Sequence, residues 1–214
     1  ANTDGIIVLL KDKSQFEKYL EICREWEQRT HFELEHDMIT NIVQKDVNNY
    51  IFEFENGKLE RKGGYVKEYS PIDNNLAIIT DAVVEYLLHE TPVEDTIRNC
   101  DDLIKFQMCC KIGSTYDYMS WGDKILNTRC NRVFATIKDL PGLNKVKCNF
   151  ENKKGEIADK IEKVASTPEQ VMIYNDEVLN KKVSEIMPDL DKQFYIDMAK
   201  KRLKDFGINL QNNH

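Results

Sequence analysis

Residues 2–10 read Asn2-Thr3-Asp4-Gly5-Ile6-Ile7-Val8-Leu9-Leu10, and the expected fold depends on this stretch. Its polar start is typical of a tight turn, because Asn, Asp and Gly accept the positive φ angles that hairpin turns require. The apolar run that follows predicts a buried strand. A single hairpin arm would leave that strand without a pairing partner, so we expect the chain to be a segment of a longer protein.

The next elements predict the order β-α-β-β over the first seventy residues. Ser14 begins a capping box, Ser-Gln-Phe-Glu, and apolar residues then recur at helical spacing, which predicts a helix over 15–30. Alternation of apolar and polar side chains predicts strands over 32–37 and 50–55. An Asn-Gly turn follows, and it predicts a basic return arm over 58–66.

Residues 71–214 mix helical and strand signals and are expected to form a second domain. The predicted elements are a helix with Leu76, Ile79, Val83 and Leu87 on one face, a helix with Pro92 at its first position, strands over 104–112 and 133–137, and a helix over 189–206 closed by Gly207. The basic run Lys200-Lys201-Arg202 in the last helix is typical of a solvated helix face near a C-terminus, where the helix dipole favours positive charge.

Composition limits the classes of function. The chain has 214 residues and a net charge of −7, so any binding to nucleic acid must use local basic patches. Its longest apolar run falls far short of the roughly 20 residues that cross a bilayer. The six cysteines form no C-x-x-C pair, which disfavours a zinc site, and Cys109 and Cys110 are expected on opposite faces of a strand. With no signal peptide, the thiols fit a reducing cytoplasm.

Other catalytic patterns are weak or absent from the sequence. His31, His36 and Asp37 could be metal ligands, but strand alternation would place His36 and Asp37 on opposite faces. The sequence contains no G-x-S-x-G, Walker or G-x-G-x-x-G pattern. A hydrolase or a dehydrogenase is therefore unsupported.

The order of these elements resembles the C-terminal part of family-B-like DNA polymerases, especially the phage branch. In that family a palm hairpin carries the motif Y-x-D-T-D-S, followed by a K-x-Y strand and a K-G turn before the thumb. Asp4 matches the second Asp of the palm motif, while Asn2 stands at the first Asp and Gly5 replaces Ser. Tyr50 matches the Tyr of K-x-Y, with Asn48 in place of its Lys. The pair Lys62-Gly63 matches the K-G turn.

The resemblance implies an α+β fold in which residues 1–70 end a polymerase palm sheet and residues 71–214 form a mixed helical and β thumb. It implies template-directed addition of deoxynucleotides to a primer 3′ end by two-metal phosphoryl transfer. Asp4 would bind catalytic Mg²⁺, with a second carboxylate supplied by polymerase segments upstream of residue 1.

The implied partners are primer-template DNA and a deoxynucleoside triphosphate, in the cytoplasm of a host cell if a phage encodes the protein. The residues expected to contact DNA are Asn48, Asn49, Tyr50, Arg61 and Lys62. The last two belong to a basic ridge on the return arm, which would bind phosphates. In the family the thumb grips the duplex, so the resemblance gives the run Lys200-Lys201-Arg202 a second interpretation, as a contact with DNA.

A non-catalytic α+β interaction module is the alternative interpretation. In that case Asp4 is only a turn residue, and the acidic surface binds a protein partner. The two interpretations differ in what precedes residue 1 of the parent reading frame, since only a polymerase needs an upstream carboxylate motif and a basic helix that binds triphosphate.

Overall fold

The computed structural model describes residues 5–68 and 76–209, which form a mixed α+β fold with antiparallel sheets. The chain divides into two compact units, a first unit of Ala1–Lys62 and a second unit of Gly63–His214. The boundary predicted between Ser70 and Pro71 lies outside the described residues.

The described elements are α1 (Gln15–Thr30), β1 (Ile39–Asp46), β2 (Asn49–Phe54), β3 (Leu59–Lys62), α2 (Ala77–His89), α3 (Val93–Asn99), a 3₁₀ helix (Leu103–Phe106), β4 (Met108–Lys111), β5 (Tyr118–Trp121), β6 (Lys124–Leu126), β7 (Cys130–Ala135), β8 (Leu143–Glu151), β9 (Ile157–Lys163), β10 (Val171–Ile173), α4 (Val183–Ile186) and α5 (Lys192–Phe206). None of the helices in this part of the chain is both long and apolar enough to cross a membrane.

Helix α1 confirms the helix predicted over residues 15–30, but the contacts that cap its start differ from the prediction. The predicted capping box is wrong, because the Ser14 side chain accepts no hydrogen bond from the first turn. Its hydroxyl instead donates to the Asp12 carboxylate, which also accepts from the Ser14 backbone N–H at 2.8 Å. The Gln15 side chain accepts from the Lys11 backbone N–H at 3.0 Å.

Three antiparallel strands follow α1 in the order β1-β2-β3. Strand β2 confirms the strand predicted over 50–55, and Gly57, with a φ of 77°, confirms the predicted Asn-Gly turn. The strand predicted over 32–37 is wrong, because that segment packs along α1 instead. The Tyr19 hydroxyl lies 2.7 Å from His36 Nδ1, and the Leu34 N–H donates to Glu27 Oε1 at 2.8 Å.

The buried strand predicted over residues 6–10 is also wrong. These residues form no strand, and Ile6 and Leu9 are 83% and 90% exposed. A strand is stabilised only when a neighbouring strand pairs with its backbone, and no strand of residues 5–68 pairs with this run. The described part of the first unit is therefore α-β-β-β rather than β-α-β-β.

Helices α2, α3 and α5 pack together in the second unit. Helix α2 confirms the helix that the spacing of apolar residues after Leu76 predicts. Helix α5 confirms the predicted last helix, and Gly207 is its C-cap with a φ of 115°. The Asp191 side chain caps α5 by accepting from the backbone N–H groups of Gln193 and Phe194 in its first turn. Helix α3 begins at Val93, so Pro92 is its N-cap rather than its first residue.

The second unit also contains two sheets, with strand orders β10-β7-β4 and β6-β5-β8-β9. The strand predicted over 104–112 is confirmed only from Met108 to Lys111, because Leu103–Phe106 forms a 3₁₀ helix. Strand β7 confirms most of the prediction for 133–137 and ends at Ala135. Cys109 is exposed and Cys110 buried, as alternation predicts, and burial raises the pKa of the Cys110 thiol to about 12.

Tyr195 lies at the centre of this unit and is completely buried. Its ring meets that of Phe106 edge to face at a centroid distance of 5.1 Å. Its hydroxyl accepts a hydrogen bond of 3.1 Å from the Ala135 backbone N–H. This one side chain therefore joins α5 to strand β7 and to the 3₁₀ helix.

Candidate nucleic-acid interface

The hairpin formed by β2 and β3 brings together two of the residues predicted to contact DNA. Tyr50 stands directly opposite Lys62, and the Lys62 ammonium lies 5.8 Å from the centre of the Tyr50 ring. Arg61 stands opposite Ile51. Because side chains alternate between the faces of a sheet, Arg61 lies on the face opposite Lys62. The predicted basic ridge is therefore divided between two faces.

Three aromatic residues of β2 lie on the same face of the hairpin as Lys62, and Lys58 lies next to the last of them. We call these five residues the aromatic face: Tyr50, Phe52, Phe54, Lys58 and Lys62. The Tyr50 and Phe52 rings stack with a centroid distance of 4.3 Å and an interplanar angle of 21°. The Lys58 ammonium lies 6.0 Å from the centre of the Phe54 ring. Aromatic rings next to lysines can contact both the bases and the phosphates of a nucleic acid.

The Tyr50 hydroxyl already has a protein partner. It donates a hydrogen bond of 2.8 Å to Glu60 Oε1, and this bond is the main reason why the pKa of Tyr50 is raised. Only 8% of Tyr50 is exposed. The bond holds the ring against Phe52, so Tyr50 serves to position the aromatic face. Sequence analysis missed Glu60, although counting by twos along the return arm places it on the face of Lys62.

Asn48 and Asn49 act within their own hairpin. Asp46 accepts from the Asn48 backbone N–H at 2.9 Å and from Asn49 Nδ2 at 2.9 and 3.1 Å. These bonds, led by that of the Asn49 side chain, lower the pKa of Asp46. The side-chain donor of Asn49 therefore closes the turn between β1 and β2, whereas Asn48 takes part in that turn through its backbone N–H.

The basic run in α5 is mostly occupied by contacts inside the second unit. Lys200 pairs with Glu94 at 2.5 Å, and the Arg202 guanidinium donates to the Thr80 hydroxyl at 2.9 Å. Burial lowers the pKa of Arg202. Lys201 is the exposed member of the three, so the run provides little concentrated positive charge.

The predicted metal ligand, Asp4, lies outside the described residues, as does Asn2. Within 5–68 and 76–209, no three His, Cys, Asp or Glu side chains form a group that could hold a metal ion. Gly63, the second residue of the K-G pair, has a φ of 97°. That left-handed conformation favours glycine and explains why the arm turns at this point.

Comparison of the chain with protein-family models, with curated protein sequences and with solved structures finds no match in any of the three.

Proposed function

We propose that this chain is the end of the palm and the thumb of a template-directed DNA polymerase, which adds deoxynucleotides to a primer 3′ end. The observation that supports this function best is the aromatic face, where Tyr50 and Lys62 meet across two paired strands. These two residues are the ones that the K-x-Y and K-G motifs single out. The two residues are twelve positions apart in the sequence, and the pairing of β2 with β3 is what brings them together.

The physical role of the aromatic face is to hold the primer end in register. Lys58 and Lys62 lie on one side of a short hairpin together with Glu60, which leaves a formal charge of +1 on this face. Phosphate contacts made by such lysines fix position without reading sequence. Glu60 fixes the Tyr50 ring, so the face is already ordered before DNA binds. A preformed surface loses less conformational entropy when it binds.

The chemistry itself would require Mg²⁺, primer-template DNA, a deoxynucleoside triphosphate and upstream polymerase segments. Asp4 and an upstream carboxylate would hold the Mg²⁺ ions, and the bound metal would supply activation of the primer 3′-hydroxyl and charge stabilisation of the triphosphate. Asp4 is the only carboxylate that the resemblance assigns within this chain.

The first test uses the purified 214-residue chain with a primer-template duplex, Mg²⁺ and all four triphosphates. We expect no primer extension, since one carboxylate does not organise two metal ions. Extension should appear only in the longer reading frame that includes the upstream carboxylate motif. Template-dependent extension by the 214-residue chain alone would contradict the assignment of the missing carboxylate to an upstream segment.

The second test measures DNA binding by the same chain. Lys62→Ala should flatten the slope of log affinity against log salt by about one, because each neutralised phosphate adds roughly 0.9. Adding Arg61→Ala should change the slope little further, since Arg61 lies on the opposite face of the hairpin. Fluorescence anisotropy with a labelled primer-template duplex, at several salt concentrations, measures both slopes.

The matched control for this test is the double variant Lys153→Ala with Lys154→Ala. Both residues lie in the exposed turn between β8 and β9, and the change in net charge is the same. We expect its slope to equal that of the unmodified chain. Equal slopes for the unmodified chain, the two variants of Lys62 and the control would show that Lys62 is only solvated charge.

The alternative, a non-catalytic interaction module, is favoured by one feature of the first unit. Ile6, Ile7, Val8 and Leu9 are consecutive apolar residues that are 83%, 55%, 50% and 90% exposed. A contiguous exposed apolar stretch often marks a protein contact. A parent reading frame that lacks an upstream carboxylate motif, together with salt-insensitive DNA binding, would favour this module over the polymerase.

A further inference from the structure

The second unit contains a cavity of about 300 Å³ that the proposed polymerase function does not use. It lies along strand β4, at the edge of its sheet, and against residues 164–167, which follow β9. Five buried side chains that line the cavity are apolar: Leu76, Met108, Cys110, Ile112 and Val164. A cavity of this size fits a small organic molecule rather than a single ion.

Two lysines, Lys111 and Lys145, line the same cavity. Lys111 is exposed, and it forms no ion pair with another described residue. Lys145 lies 3.6 Å from Glu162 Oε2, a long contact for an ion pair. The cavity therefore combines an apolar lining with two ammonium groups.

Glu162 does not cancel this positive charge. Its carboxylate pairs more closely with Lys160, at 2.8 Å, and accepts from the Tyr116 hydroxyl. The Lys160 hydrogen bond first and the Tyr116 bond second lower the pKa of Glu162 to about 2, so it stays ionised at neutral pH. Three lysines and one glutamate leave a local charge of +2 in a protein whose net charge is −7.

The wall beside Tyr116 is held in place by Arg129. Its guanidinium donates to three backbone carbonyls, those of Gly113, Tyr116 and Asp117. Such a fixed wall keeps the cavity open without a ligand, and a preformed site reduces the entropic cost of binding.

We propose that this cavity binds a phosphate monoester with an apolar body. The body would lie on the apolar lining, where water is displaced, and the doubly charged phosphate would bind to Lys111 and Lys145. A dianion matches the local charge of +2, which a neutral apolar ligand would leave unpaired. This inference does not rest on the polymerase proposal, because it uses residues of the second unit alone.

The experiment titrates 1-naphthyl phosphate into the 214-residue chain by isothermal calorimetry, with 1-naphthol and inorganic phosphate as separate ligands. We expect 1-naphthyl phosphate to bind at least about tenfold more tightly than either, since only it uses both the apolar lining and the lysines. Binding of 1-naphthol with equal affinity would overturn the role of the lysines, and equal binding of inorganic phosphate would overturn the role of the lining.

Two variants and a control locate the site. Lys111→Met and Lys145→Met should each weaken binding of 1-naphthyl phosphate by about tenfold, because each removes a charged hydrogen-bond donor. Lys153→Met, in the exposed turn between β8 and β9, removes the same charge elsewhere and should leave the affinity unchanged. Circular dichroism checks that each variant is folded.

NMR provides a second readout that does not depend on the variants. Methyl resonances of Ile112 and Val164 should shift when 1-naphthyl phosphate is added, because both side chains line the cavity. Unchanged affinity in both lysine variants, or shifts confined to other methyl groups, would overturn the assignment of the ligand to this cavity.

Discussion

Replacing Tyr195 with alanine should lower the free energy of unfolding of the second unit by about 3–5 kcal/mol, the usual loss when a large buried aromatic ring is removed. The ring is completely buried and packs edge to face against Phe106. Its removal would leave a cavity at the junction of α5, β7 and the 3₁₀ helix, and it would also leave the Ala135 N–H without its partner. Urea denaturation followed by circular dichroism measures the change.

The matched control is Tyr195→Phe, which keeps the ring and removes only the hydroxyl. We expect a loss of about 1–3 kcal/mol, since the Ala135 N–H then lacks an acceptor in a buried position. A loss below about 1 kcal/mol for the alanine variant would contradict the central role of this side chain.

Tyr195→Phe and the unmodified chain should also differ in how their stability depends on pH in alkaline solution. Burial, as the largest cause, raises the pKa of Tyr195 in the folded protein above its ordinary value of 10.0. Above pH 10 the Tyr195 hydroxyl loses its proton in the unfolded chain but keeps it in the folded chain. The free energy of unfolding therefore has its full contribution from Tyr195 below pH 10 and decreases as the pH rises above that value. Tyr195→Phe should therefore lose less stability between pH 9 and pH 11 than the unmodified chain.

The second large effect concerns Asp4, in the proposed polymerase that includes the upstream segments. Asp4→Asn should lower the rate of nucleotide incorporation at least about 100-fold. Metal ions supply several kcal/mol of transition-state stabilisation, and each 1.36 kcal/mol corresponds to a tenfold change in rate. Single-turnover primer extension at saturating DNA measures the rate of the chemical step.

Asp12→Asn is the matched control, because it removes the same charge from a carboxylate that accepts hydrogen bonds from Ser14 next to α1. We expect this variant to keep nearly the full rate, and we expect Asp4→Asn to bind the DNA duplex almost as tightly as the unmodified protein. An incorporation rate that is unchanged in Asp4→Asn would remove Asp4 from the metal site.

Part of the candidate interface follows from local sequence. The Asn56-Gly57 turn sets the pairing of β2 with β3, and from that register Tyr50 must face Lys62. The alternation of side chains along β3 places Arg61 and Lys62 on opposite faces. The prediction of one basic ridge did not take this alternation into account. The partners of Tyr50 and Asn49 were not predicted, because hydrogen bonds between side chains depend on rotamers that the sequence pattern does not specify.

The sequence by itself determined the elements whose stabilising contacts are local. Helices α1, α2 and α5 follow from apolar residues at a spacing of three and four, and the end of α5 follows from Gly207. Strand β2 and its turn follow from alternation beside Asn56-Gly57.

Only the tertiary structure decided which extended segments became strands and which side chains met. Residues 6–10 and 32–37 carry strand patterns, yet neither pairs with a neighbouring strand of the described first unit, whereas 39–46 pairs with β2 as strand β1. The cavity likewise joins β4 to residues more than fifty positions away. Strand pairing and cavity lining are contacts between distant parts of the chain, so no local pattern specifies them.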